Sequence, residues 1–133
     1  MKAYITETVF EQTGGIALMG RGRSPGTDGP YFQQADFDSI TLRIYDMADP
    51  GTPVNGADGE VLSVSDVVFN SLQTGDARWT KDSTGYNFLY ETSAEDLPQG
   101  GRKYRFEFEM LPTGSTEPFW AVFEVATIGL FSV

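Results

Sequence analysis

Cysteine and histidine are both missing from this 133-residue chain. The first absence removes disulfides, thiolate metal sites and a thiol nucleophile. The second removes the commonest general base, the imidazole metal ligand and the side chain that titrates near neutral pH. Positive charge is scarce as well: nine Lys and Arg stand against nineteen Asp and Glu, for a formal charge of −10. A field of that sign repels phosphate backbones, so direct nucleic-acid binding is not expected. No apolar run approaches the roughly 18 residues of a membrane-spanning helix, and no membrane partner is expected. The opening residues, MKAYITETVFEQ, place polar and acidic groups where an export signal needs an apolar core. A chain made and kept in the cytoplasm, or assembled there into a particle, is expected.

What the chain does have is aromatic residues, 14% of the total, together with 15 Gly and 7 Pro. Short apolar runs separated by turn dipeptides are the pattern of an all-β sandwich or barrel. A chain of this length is expected to form one domain, residues 1–133, with a core large enough to need no staples. The clearest strand signal is 103–111, where Tyr104, Phe106, Phe108 and Met110 alternate with Arg105, Glu107 and Glu109. Residues 119–126 are apolar on both faces apart from Glu124, as in a central strand or one whose outer face meets a partner. The Gly- and Pro-containing stretch 112–118 between them is expected to be a hairpin connection. Ile40, Leu42 and Ile44 alternate with polar neighbours, and 46–60 then breaks into a loop. Further strands are expected at 86–92, 15–20 and 4–10.

One short helix is expected near 65–72, with Ser65 as N-cap, Asp66 at the positive end of the helix dipole, and Val68 and Leu72 one turn apart. The expected architecture is an antiparallel β-sandwich of immunoglobulin-like type, with a jelly roll as the alternative. In the first, such a helix crosses from one sheet to the other, and Trp79 plugs the open end between the sheets.

Residues 20–34 contain four Gly and two Pro without apolar periodicity, the composition of a long exposed loop or arm. Arg21 and Arg23 lie in it, and Tyr31 and Phe32 are its candidate anchors against a neighbouring subunit. The segment 127–133, with Leu130 and Phe131, is too apolar for a free tail. It is expected to be a last edge strand, or else to complete the sheet of another copy.

Motifs for chemistry are weak. Asp76 and Asp82 flank Trp79, a combination found in sugar-binding clefts. Residues 55–60 are rich in oxygen ligands but lack the spacing of a calcium loop. Gly20, Gly22 and Gly26 lack the strand-to-helix setting of a phosphate cradle. Nothing in the pattern brings Lys2, Lys81 or Lys103 beside a hydroxyl. No catalytic residue, metal ligand or cofactor is expected, and the chain is read as a non-enzyme.

The run 69–90 carries Phe69, Leu72, Gln73 and Thr74, then RWTKDSTGYNF from Arg78 to Phe88. With Gly100, Gly101, Tyr104 and Arg105 and the strand Phe-Trp-Ala-Val-Phe-Glu-Val at 119–125, it resembles small structural proteins encoded among the virion genes of tailed bacteriophages. The resemblance covers the C-terminal half and is loose before it. It implies a place, the virus particle assembled in the host cytoplasm, and no chemistry. The expected role is a capsid decoration or cement protein held by the major capsid protein, or another virion component, and by copies of itself. A neck, tail or baseplate adaptor is the alternative, and a carbohydrate- or receptor-binding module is a third. The candidate contact residues are Arg21, Arg23, Tyr31, Phe32, Trp120, Leu130 and Phe131.

Overall fold

Three long strands with alternating burial build the larger of two sheets. In the computed structural model, which describes residues 8–24 and 30–131, these are β3 (Phe37–Asp46), β7 (Lys103–Pro112) and β8 (Phe119–Ile128). The short strands β1 (Thr8–Phe10) and β4 (Glu60–Leu62) flank them, in the order β1-β8-β7-β3-β4. The second sheet has the order β2-β6-β5, from β2 (Ala17–Gly20), β6 (Tyr86–Glu91) and β5 (Val68–Gln73). The chain is therefore all-β, apart from α1 (Val64–Val67) and two single 3₁₀ turns at Gln34–Asp36 and Ala94–Asp96.

The inward residues read from the periodicity are the ones buried. Ile40, Leu42 and Ile44 of β3 and Tyr104, Phe106, Phe108 and Met110 of β7 are all fully enclosed. Cross-strand pairing joins Leu42 to Phe108 and Ile44 to Phe106, and Phe106 to Phe123 of β8. From the smaller sheet, Leu18, Val68 and Phe88 enter the same apolar cluster. Phe88 stacks on Phe123 at 5.7 Å between ring centroids and meets Phe108 edge-on at 4.9 Å. Such aromatic pairs add about 0.5–1.5 kcal/mol each beyond area burial.

Four expectations change. The helix expected at 65–72 is only the single turn α1, begun after Ser63, which makes no side-chain cap; Ser65 lies inside it. From Val68 the chain is strand, because Val68 pairs with Phe88 and Gln73 with Tyr86, and strand pairing with a buried β-branched residue outweighs two weak turns of helix. The turn α1 still joins the two sheets, passing from β4 to β5. The pairing is not antiparallel throughout: β1 runs parallel to β8, with Thr8 beside Ala126 and Phe10 beside Ile128. Residues 4–7 of the strand expected at 4–10 lie outside the described residues. Thr127 and Ile128 are not an edge strand but the end of β8, which lies between β1 and β7; residues 132–133 lie outside the described residues. Trp79 does not plug the sandwich: it is not part of the apolar cluster between the sheets, where Phe88, Phe108 and Phe123 meet, and it is half-buried beside Tyr86.

Replacing Phe108 by Ala leaves a cavity where three rings met and is expected to lower stability by about 3–5 kcal/mol, whereas exposed Val61→Ala changes it by less than about 0.5 kcal/mol. Paired urea melts measure both, and similar midpoints would show that the faces of β7 are reversed.

Candidate partner-binding surface

The segment expected to be an exposed arm is anchored in the core at its base. After β2 the chain continues through Arg21–Ser24 and returns through Pro30–Phe32 as an antiparallel pair: the Phe32 N–H donates to the Gly22 carbonyl at 3.1 Å, the Ser24 N–H to the Pro30 carbonyl at 2.9 Å, and Arg23 bridges Tyr31. The tip, 25–29, lies outside the described residues. Phe32 is a core residue, only 1% exposed, and packs edge-on against Phe37 and Phe119; it cannot serve as the outer anchor expected of it. Its ring lies where a side chain on residue 22 would have to be, so position 22 requires Gly.

Asn87 holds both sides of this hairpin. Its Oδ1 accepts from the Gly22 N–H at 2.9 Å, and its Nδ2 donates to the Gly22 and Phe32 carbonyls, each at 3.0 Å. The side-chain amide thereby replaces a peptide group of a neighbouring strand. Asn87 is 1% exposed, so all three bonds lie in a poorly screened environment.

Next to it, Asp82 organises a second set of bonds. Arg21 reaches it with two parallel N–H···O bonds of 2.9 Å and also donates to the Gly85 carbonyl at 2.9 Å. Trp79 Nε1 donates to Asp82 at 3.2 Å, and the backbone N–H groups of Thr84 and Gly85 close the turn on the same carboxylate. Gly85, with φ +99°, is obligatory there, because a side chain would strike the Gln73 carbonyl. Asp76 receives the Arg78 guanidinium and the Tyr86 hydroxyl, and Arg78 also pairs with Glu91 at 2.8 Å. Arginine hydrogen bonding is the main cause that holds both the Asp76 and Asp82 carboxyls well below their ordinary value. Burial, followed by the bond to Asp76, pushes the Tyr86 hydroxyl up.

The groups a sugar would need are engaged within the protein. The indole N–H of Trp79 is bound to Asp82, its ring has Arg21 at 6.0 Å and Lys81 at 5.6 Å, and both flanking aspartates hold arginines. A cleft of about 210 Å³ lies between Tyr31 and Phe32 of the hairpin and Phe69–Leu72 of β5, below the usual size of a small-molecule site. Among the described residues, no group of three or more His, Cys, Asp or Glu is arranged to hold a metal ion.

The candidate contact residues fall into three places. Arg21, Arg23 and Tyr31 sit together at the hairpin: Arg21 is turned inward onto Asp82, while exposed Arg23 lies 4.5 Å from the Tyr31 ring. Trp120, 41% exposed, is on the outer face of the large sheet; its neighbour Phe119 touches Phe32, so it belongs to the hairpin end of the molecule. Leu130 and fully exposed Phe131 follow the far end of β8, eight or more residues and so roughly 26 Å along the strand from Trp120. There Glu11 accepts from the Leu130 and Gly100 N–H groups, and Phe10 and Ile128 are exposed side by side. Pattern reading missed Phe10 and Val61, which lie on short strands with little periodicity. No family model matches the sequence, and no curated protein or solved structure matches it significantly.

Asn87→Ala removes the bonds to the buried Gly22 N–H and Phe32 carbonyl, leaving the Gly22 carbonyl only its bond from the Phe32 N–H, and is expected to lower stability by roughly 2 kcal/mol or more, with Asn87→Asp also damaging because it cannot donate. Calorimetry of both variants checks this; wild-type melting would make Asn87 incidental. A carboxylate with a depressed folded pKa contributes stability that is complete above its ordinary value of 3.8 and is lost as pH falls through the folded value. Melting temperature is therefore expected to decline from about pH 4 downward, modestly because both carboxylates reach solvent, and less steeply for Asp82→Asn. Equal acid slopes for the two proteins would contradict that assignment.

Proposed function

We propose that this chain is a non-enzymatic structural protein of a tailed-phage particle, and that its two sheets form an immunoglobulin-like sandwich. The sheet orders support the second part. With β2, β5 and β6 as strands B, D and E, and β3, β4, β7 and β8 as C, C′, F and G, the connections follow the variable-type pattern, and β1 takes the place of a first strand beside G. Tyr104, at the start of β7, accepts a hydrogen bond from the Gln99 N–H at 2.9 Å and donates to its carbonyl, the arrangement of a tyrosine corner. Leu18, Leu42 and Phe106 fill the interior without a disulfide or a strand-C tryptophan.

The observation that carries the functional reading is the use made of the run resembling virion proteins. Asp76, Arg78, Trp79, Asp82, Tyr86 and Asn87 are all committed to bonds within the fold: Asp82 and Asn87 bond directly to the hairpin base of 20–34, Trp79 supports Asp82, and Asp76, Arg78 and Tyr86 tie together the turn beside it. The run is scaffolding that presents a loop. A loop held on a rigid sandwich, with Arg23, Tyr31 and Trp120 at the same end, suits attachment to a repeated surface, where many modest contacts give strong net binding. Decoration of the head, with the major capsid protein as partner, is the role that uses this best, and a neck or tail adaptor would use the same end at lower copy number.

Quantitative mass spectrometry of purified particles, normalised to the major capsid protein, tests the proposal. Decoration predicts a simple fraction of the capsid count. A handful of copies would move the protein to the neck or tail, and its absence would overturn the virion assignment.

A further inference from the structure

The outer face of the large sheet is electrically unlike the rest of the chain. Its outward positions on β3, β7 and β8 carry Arg43, Lys103 and Arg105 against Glu107, Glu109 and Glu124, with Asp38 exposed where the register of β3 shifts, so three positive charges face four negative ones in a protein of net −10. The charges are also sorted. Along β7 the outward residues run Lys103, Arg105, Glu107, Glu109, so one half of the stripe is positive and the other negative. Across the sheet, Val61, Thr41, Glu109 and Trp120 form one row, and Lys103, Ala126 and Thr8 form another at the opposite end.

We propose that this face binds a second copy of itself, with the two β7 strands crossing face to face in antiparallel directions about a two-fold axis. The pattern selects that arrangement. Placed antiparallel with the axis between Arg105 and Glu107, Glu107 faces Arg105 of the second copy, and Glu109 faces its Lys103. Placed parallel, each charge faces its own like. The antiparallel arrangement also puts Trp120, 41% exposed, over Ala126 beside exposed Ile128 of the second copy, giving an apolar contact at each end of the charged stripe. An isologous contact of this kind needs one self-complementary patch, which the sorted stripe supplies.

Size and long-range charge permit it. Three ten-residue strands give a rectangle of roughly 14 by 33 Å, and the three-residue strands β1 and β4 bring the flat face to about 560 Å², so two such faces bury about 1,100 Å² in total, just above the roughly 1,000 Å² that a specific interface needs. The remaining negative charge lies off this face, and at about 0.15 M salt charges more than about 8 Å apart are largely screened. Within one copy the same groups already pair, Arg43 with Glu109 at 3.1 Å and Arg105 with Glu107 at 2.7 Å and Glu124 at 3.6 Å. They therefore enter the interface neutralised, and the contact requires no bare charge to be desolvated. This inference does not depend on the phage assignment.

Sedimentation equilibrium of the full chain at physiological ionic strength tests it, up to concentrations of about 1 mM. The wild type is expected to form a reversible dimer. Lys103→Glu and Glu109→Lys, each checked by melting, are expected to weaken it at least tenfold, because each sets like charges opposite one another twice. Mixing the two variants is expected to restore a dimer, since both 103–109 crossing pairs then become Glu opposite Lys. Trp120→Lys provides an independent disruption should Glu109→Lys fold poorly. A monomeric wild type, a dimer indifferent to Lys103→Glu and Trp120→Lys, or no recovery between two folded single variants would overturn the proposal.

Discussion

The contact of Phe88 with Phe108 and Phe123 is the constraint on which the rest depends. It is the aromatic joint between a sheet of three strands and a sheet of five, and it lies on β6, the middle strand of the smaller one. Because side chains alternate along a strand, driving Phe88 inward turns Asn87 to the opposite face. There it meets the backbone of Gly22 and Phe32. Phe32 in turn returns to the core beside Phe37 and Phe119. Core packing thus extends, through one amide side chain, to the base of the 20–34 hairpin.

Much of this architecture can be read from residue order, and the reasons for the failures are physical. On β3 and β7 the alternation is strict, and every residue assigned to the dry face is fully buried. The central position of β8 follows from its being apolar on both faces. The stretch 65–72 misled because a Ser-Asp start and an i, i+4 apolar pair satisfy helix rules locally, while pairing with β6 decides the outcome nonlocally. The arm misled for a related reason. A Gly- and Pro-rich composition signals turns correctly, but Phe32 within it is recognisable as core only once Phe37 and Phe119 are seen to surround it. Nothing in the sequence marks β1 as parallel, since three residues carry no register information of their own.

The candidate surface was legible in its composition and illegible in its grouping. Arg21 and Arg23 are separated by one residue yet serve different ends: one closes onto Asp82 and supports the turn, while the other faces outward with Tyr31. Trp79 has the residue type and acidic neighbours of a sugar platform, but its bonds go to the fold. The charged residues of β7 look ordinary one at a time, and their sorting into a positive and a negative half gains meaning only when the strands on either side place them in rows. In an acidic chain, such a balanced face is where approach by another copy is least opposed.

The central claim is that the base of the 20–34 hairpin belongs to the same cooperative unit as β6, tied by Asn87 and Phe32. Native-state hydrogen exchange measures this directly, because amides that open together share one opening free energy. The account predicts that the Gly22 and Phe32 amides exchange with the same opening free energy as the Phe88 amide, and that all three fall together as denaturant is added. Rapid, unprotected exchange at Gly22 and Phe32 while β6 stays protected would show a loosely tethered arm and contradict it.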